Sequence, residues 1–425
     1  MNVKKIFILL FSVIVVTSSW AMLTFDSTLY NARLFSLKSI LIYLTLFLSC
    51  FVIKKKSVCT KRNIYLCVPI LFYFLFTTFH RYTDSLNLNI ASNILLCVFV
   101  LLCSDVKNKL YKIYYYFFTI ISAYGILCYL SYGAGLHIIP FRLVEYYTIN
   151  AEFYVDFYAC TSCLQGSIVR FCGLYNEPGL WGTIAALILC VEDLNFHKLS
   201  NILILVAGAF TFSFAFWVIL VVYYVLSRGK FFSTLWVIVV LAILYVYVVP
   251  KIETGNEAVD ALIGRLTYED GEFAGDNRSN EHLDYLLEKT LLSTKAFFGH
   301  GGGYIVHLGY DGSLSYKTYI VEHGILGFLL MYGSLLIAVL KYAKKNRYVL
   351  PFVLVFFLSI YQRPGVFSMV YMVILLGGID QIMNQRKTHK LKSLKKTHKL
   401  IKGSKKIYKL KLKSSKKIHS LKLKI

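Results

Sequence analysis

The sequence predicts an all-α polytopic membrane protein of about twelve transmembrane helices, with two large loops on one side of the bilayer. Three observations carry that expectation. Of the 425 residues, 57% are hydrophobic, the mean hydropathy is +0.61, and apolar runs recur along nearly the whole chain, which excludes a soluble domain of this length. The 33 tyrosines and 32 phenylalanines gather at the ends of those runs, where aromatic belts anchor helices at the interface. Charge is the third. Of the formal net charge of +24, residues 386–425 supply 17 basic side chains and no acid, leaving +7 for the rest of the chain. The basic excess is a property of the tail, so it argues for membrane orientation before it argues for nucleic acid.

A span takes roughly 20 apolar residues, and fewer where it is buried in protein. The pattern predicts helices near 3–23, 35–53, 64–80, 90–103, 111–132, 178–191, 231–249, 317–340, 348–361 and 366–382. The run from Leu199 to Leu226 is either one long helix or two short ones, and orientation decides between them. With Lys4 and Lys5 cytoplasmic, the clusters at Lys54 to Lys56, Lys61-Arg62 and Lys107 to Lys112 also fall inside. A single span over 199–226 would then expose Lys341, Lys344, Lys345, Arg347 and the whole lysine tail externally. A split near Thr211-Phe-Ser213 keeps them cytoplasmic, with the freed backbone groups met in part by the Thr211 and Ser213 hydroxyls. Twelve spans with both termini cytoplasmic follow. The transmembrane domain covers 1–385, and 386–425 is a basic, low-complexity cytoplasmic tail in which Lys387-Thr-His-Lys-Leu391 recurs as Lys396-Thr-His-Lys-Leu400. Such a tail holds too little apolar surface to fold alone and lies along anionic headgroups.

Two external segments are longer than turns, 133–177 and 250–316. The first ends in Arg170-Phe-Cys-Gly-Leu-Tyr-Asn-Glu-Pro-Gly-Leu-Trp181, where Pro178 suits a first helical turn and Glu177 sits at the positive end of the helix dipole. Cys160-Thr-Ser-Cys163, with Cys172 nearby, reads as one structural disulfide or as free thiols, while Cys128 lies in an apolar run and reads as a small hydrophobe. The second holds an amphipathic helix over Asn280 to Leu292, with Leu283, Leu286, Leu287 and Leu291 on one face. It also holds the glycine run Gly299-His-Gly-Gly-Gly303, which lets a ligand or backbone approach closely. No zinc spacing appears, and the glycine run lacks the Lys-Ser/Thr and helix of a nucleotide-binding loop. Arg170, Arg265 and Arg278 all fall in these two segments, and guanidinium groups match phosphate oxygens. Glu322 and His323 stand where the second segment enters a helix, with Gly324 and Gly327 forming a small-residue face.

In this order the motifs resemble the O-antigen polymerase and ligase superfamily of bacterial inner membranes, the Wzy and WaaL types. The residues that carry the resemblance are Arg170-x-x-Gly173-x-x-x-Glu177-Pro178 before a helix, the helix pair broken at Thr211-x-Ser213, Gly299-x-Gly301 closing a large loop, and Glu322-x-Gly324-x-x-Gly327. The resemblance implies a GT-C-like fold and a metal-independent glycosyltransferase without cofactor, working at the periplasmic face. Its substrate would be an undecaprenyl-diphosphate-linked oligosaccharide, joined into O-antigen or related surface polysaccharide in lipopolysaccharide biosynthesis. A chain-length regulator and membrane lipids are the implied partners, and nucleic acid is not among them. By analogy Arg170 and Arg278 bind diphosphate with Arg265 behind them, Glu177 acts as base or arginine positioner, and His300 is a second candidate base. Ligases of the superfamily carry a histidine about nine residues before the Glu-x-Gly glutamate. Here that place is Ser313, which favours polymerase over ligase. A flippase, the reading from another class, would show short loops, internal repeats and charged mid-membrane residues.

Overall fold

The computed structural model describes residues 3–19, 28–53, 61–82, 90–148, 151–165, 168–228, 255, 268–269, 272–273, 281–309, 315–343, 346–361 and 363–387. The expected span 231–249, together with Arg265, Arg278 and Ser313, lies outside them. Contacts divide the chain into Met1–Asp380 and Gln381–Ile425. In the second unit residues 381–387 are helical, and the rest of the expected tail lies outside the described residues.

The chain is mostly helical. Helices α1 (Val3–Ser19), α2 (Thr28–Val52), α3 (Lys61–Phe79), α4 (Ile90–Leu101) and α5 (Ser104–Gly133) precede the first long segment. After it come α6 (Pro178–Val191), α7 (Leu199–Ala209) and α8 (Phe214–Arg228). The later chain holds α9 (Glu281–Leu291), the short α10 (Tyr304–His307), α11 (Tyr316–Tyr342), α12 (Leu350–Ser359) and α13 (Met369–Met372), which runs on through a π turn at Val373–Gly377. Among the described residues α5 and α11 are long and apolar enough to cross a membrane, and seven shorter apolar helices accompany them.

The expected break in the 199–226 run falls between α7 and α8. Thr211 Oγ1 donates to the Gly208 carbonyl at 2.6 Å and accepts from the Ser213 amide at 3.2 Å, so a single hydroxyl replaces two of the bonds that a continuous helix would make. Phe212 is left in a left-handed conformation (φ 48°).

The segment after α5 departs from an all-α architecture. It folds as a four-stranded antiparallel meander, β1 (Arg142–Thr148), β2 (Ala151–Asp156), β3 (Thr161–Gln165) and β4 (Ile168–Gly173), in the order β1-β2-β3-β4. Its residues Leu-Val-Glu-Tyr-Tyr-Thr, Phe-Tyr-Val and Ile-Val-Arg-Phe have the β-branched and aromatic content that favours a half-buried pleated surface. Arg142 Nε bonds Asp156 at 2.7 Å across the first pair. One face lies on α5. There Tyr124 and Tyr129 hydroxyls donate to the Phe157 and Val169 carbonyls at 3.0 and 2.9 Å, and the Phe171 ring fills the space above Gly125.

The amphipathic helix α9 is structural, as its leucine spacing predicts. Leu283 forms a small core with Ile305 and Val321, flanked by Leu286 and Leu287, whereas Leu291 is exposed. Within α11, Gly324 breaks the regular path at φ 71°, ψ 174°, a region that only glycine occupies freely. A Cβ there would lie 2.1 Å from the Phe297 carbonyl oxygen. Gly324 is thus set by backbone geometry rather than by helix packing. We expect Gly324→Ala to destabilise by more than about 3 kcal/mol, since strain and a clash with immobile backbone add. Gly135→Ala, also at positive φ but with open space around it, costs about 1 kcal/mol. Thermal unfolding midpoints in detergent check the contrast.

Candidate functional site

Pro178 is the first residue of α6, and Glu177 caps it in an extended conformation without a side-chain capping bond. The carboxylate points instead to Arg363, with which it forms an ion pair. Arg363 follows α12, its amide donating to the Ser359 carbonyl at 2.8 Å, and Pro364 is held by the Tyr332 hydroxyl at 2.7 Å. The guanidinium crosses the first turn of α6 over Gly179, where a Cβ would sit 2.7 Å from Nη2. Glu177 is 28% and Arg363 11% exposed, so the pair is half-buried.

Arg170 is 8% exposed. Its Nε donates to the Thr211 carbonyl at 3.0 Å and its Nη2 to the Phe212 carbonyl at 3.3 Å. These are carbonyls released by the α7–α8 break. Two charge-assisted bonds there contribute about 1.5–3 kcal/mol each. Arg170 therefore acts first as the anchor of the break. The Phe171 amide extends the contact by donating to the Phe210 carbonyl at 3.0 Å. The same break carries α6: a Cβ on Gly182 would meet Thr211 Oγ1 at 2.9 Å, and one on Gly179 would stand 3.8 Å from Ser213 Oγ. Arg170 and the helix that carries Glu177 thus both pack on the α7–α8 break.

His300 occupies a different neighbourhood. Its ring stacks on Tyr304 at 4.2 Å, and its Nε2 lies 3.2 Å from Thr290 Oγ1. Burial, with Lys295 and Lys289 close by, pushes its pKa below the usual histidine value. The glycine run serves backbone rather than ligand. The amides of His300 and Gly301 donate to the Val321 and Glu322 carbonyls at 3.0 and 2.8 Å, and Gly302 exchanges bonds with His80 and Tyr82. Glu322 accepts from the Gly303 amide at 3.0 Å. His323 is 3% exposed and its Nδ1 has no hydrogen-bond partner among the described residues, with the His80 ring 6.1 Å away.

A separate cavity of about 210 Å³ lies among α1, α2, α3, α4 and the start of α13. It is lined by Ser18, Tyr73, Thr77, Asn93 and Ser368 among apolar side chains, and no charged side chain lines it among the described residues. Tyr73 stacks on Phe367 at 4.5 Å at its edge.

Sequence reasoning missed Arg363. The signal was an arginine followed by proline in a short loop that the expected topology places outside, where basic residues are scarce. No protein-family model matches the chain, and neither a curated protein nor a solved structure matches it.

Replacing Arg170 by alanine strands two carbonyls, and we expect a loss of about 3 kcal/mol read as a lower unfolding midpoint. For the ion pair, a double-mutant cycle of Glu177→Gln and Arg363→Gln should return a coupling of about 1–3 kcal/mol.

Proposed function

We propose that the chain is a membrane glycosyltransferase that polymerises oligosaccharide repeat units linked to undecaprenyl diphosphate, at the periplasmic face of a bacterial inner membrane. The observation that carries this reading is the Glu177–Arg363 pair at the start of α6. A carboxylate and a guanidinium meet there at a helix N-terminus, half-buried, beside a gap in the helical wall. That combination suits transfer from a lipid diphosphate.

In the reaction a hydroxyl of the acceptor unit attacks the anomeric carbon of the donor chain, the carbon–oxygen bond to diphosphate breaks, and the hydroxyl proton needs an acceptor. On this reading an arriving diphosphate takes the Arg363 guanidinium, since bidentate pairing to phosphate oxygens competes well with a carboxylate. Glu177 is then released to accept the proton. The uncharged hydroxyl- and amide-lined cavity offers partners suited to a neutral sugar. Arg265 and Arg278 keep their proposed place near the diphosphate, and twelve spans with both ends cytoplasmic remain the proposed topology. Ser313, in place of the ligase histidine, favours polymerase over ligase.

Deletion of the gene should leave lipid carrying a single repeat unit in place of a ladder of long chains on a surface-polysaccharide gel. Uncapped acceptor lipid would indicate a ligase, and repeat units trapped on the cytoplasmic face a flippase. Complementation with Arg363→Ala should lower polymer yield by at least about 100-fold at unchanged protein level. A normal ladder from this variant removes the site.

A further inference from the structure

Four of the buried cysteines stand in two pairs. In the meander, residues directly opposite share a face and successive residues alternate. Tyr154 is opposite Cys163, and Cys163 is opposite Arg170. Cys172, two residues beyond Arg170 and beside the irregularity at Thr161/Ser162, returns to that face. Cys163, Cys172 and Tyr154 accordingly form one cluster, with Val144 against it. Cys160 is an odd number of residues from Cys163, so it belongs to the other face, the one that packs on α5. There the Cys128 thiol of α5 is near enough to act on it electrostatically. All four side chains are at most 1% exposed. A bridge between Cys160 and Cys163, which their spacing alone allows, would have to pass through the sheet.

We infer that Cys128 with Cys160, and Cys163 with Cys172, form two disulfides, one tying the sheet to α5 and one tying β3 to β4. The inference rests on residues 133–177 facing an oxidising compartment, and it does not depend on the glycosyl-transfer reading. Each bridge forms by exchange with a protein disulfide of that compartment. A cysteine thiolate attacks it to give a mixed disulfide, the second thiolate displaces the leaving thiol, and the donor departs as a dithiol carrying the two electrons and two protons. In the finished fold hydrogen bonding to Cys128 and burial push the Cys160 thiol up, and burial with the Cys163 contact pushes Cys172 well up. With all four side chains out of reach of a protein disulfide once the sheet has packed, closure accompanies folding.

The test denatures the full chain from membranes without reductant in excess maleimide and reads the mass of the intact protein. Four cysteines should stay unlabelled until a reductant is added. Cys128→Ala should release Cys160 alone to labelling, and Cys163→Ala should release Cys172 alone. Labelling of all four in the native sequence overturns the proposal, as does release of Cys163 by Cys160→Ala. Leu143→Cys, on an exposed residue of β1, reports orientation through a membrane-impermeant maleimide on intact cells. If it is reached and the four thiols are free, the pairing alone is wrong. If it is not reached, the external placement and the disulfides fall together.

Discussion

The break between α7 and α8 is the constraint on which the rest of the site depends. Interrupting a helix releases carbonyl groups, and in apolar surroundings each needs a donor at a cost of several kcal/mol if none is found. The chain meets this with the Thr211 hydroxyl inside the break and the Arg170 guanidinium from outside it. Because Arg170 belongs to β4, satisfying the break also fixes the edge of the sheet against the helical wall. The glycines of α6 then let that helix lie directly on the break, and its first turn brings Glu177 to Arg363. A local hydrogen-bond requirement thereby becomes the means of positioning a carboxylate.

The second long segment solves a similar problem with glycine instead of arginine. The turn at 299–303 has to pass between the end of α3 and the entry of α11 closely enough for backbone groups to bond both. Cβ atoms on Gly299 or Gly301 would approach backbone atoms to 2.4 and 2.7 Å. Gly324 completes the seam from the other side. The result is a junction built mainly backbone to backbone, to which the Glu322 carboxylate and the His80 ring add bonds to the Gly303 amide and the Phe298 carbonyl.

Much of the helical pattern was legible because hydropathy and the placement of lysines carry it directly. The split at Thr211-Phe-Ser213 followed from charge parity and needed no structural knowledge, and α6 begins at the proline that marks a first turn. The sheet was not legible as such. Residues 142–173 are short, irregularly polar and bounded by few turn signals, and parity arguments treat everything outside the spans alike. The roles within the site were also hidden, for a reason that lies in long-range geometry. Arg170 and Arg363 carry the same charge, yet their tasks differ because one faces two carbonyls and the other a carboxylate. The sequence separates Glu177 from Arg363 by nearly half the chain, and no local pattern links them. The cysteines illustrate the same limit: proximity in sequence joins Cys160 to Cys163, and strand alternation parts them.

The charge balance around α6 carries the argument one step further. Arg170 commits donors to peptide carbonyls and Arg363 is paired with Glu177, so the guanidinium donors in this half of the site are already engaged while the ion pair stands. Under the proposed function the missing cations have to come from elsewhere. On that proposal Arg265 and Arg278 of the segment 250–316 would supply them. A donor could then be held only when both long segments contribute. That would keep Glu177 paired and inactive as a base in the empty protein, and release it only when a diphosphate has been captured.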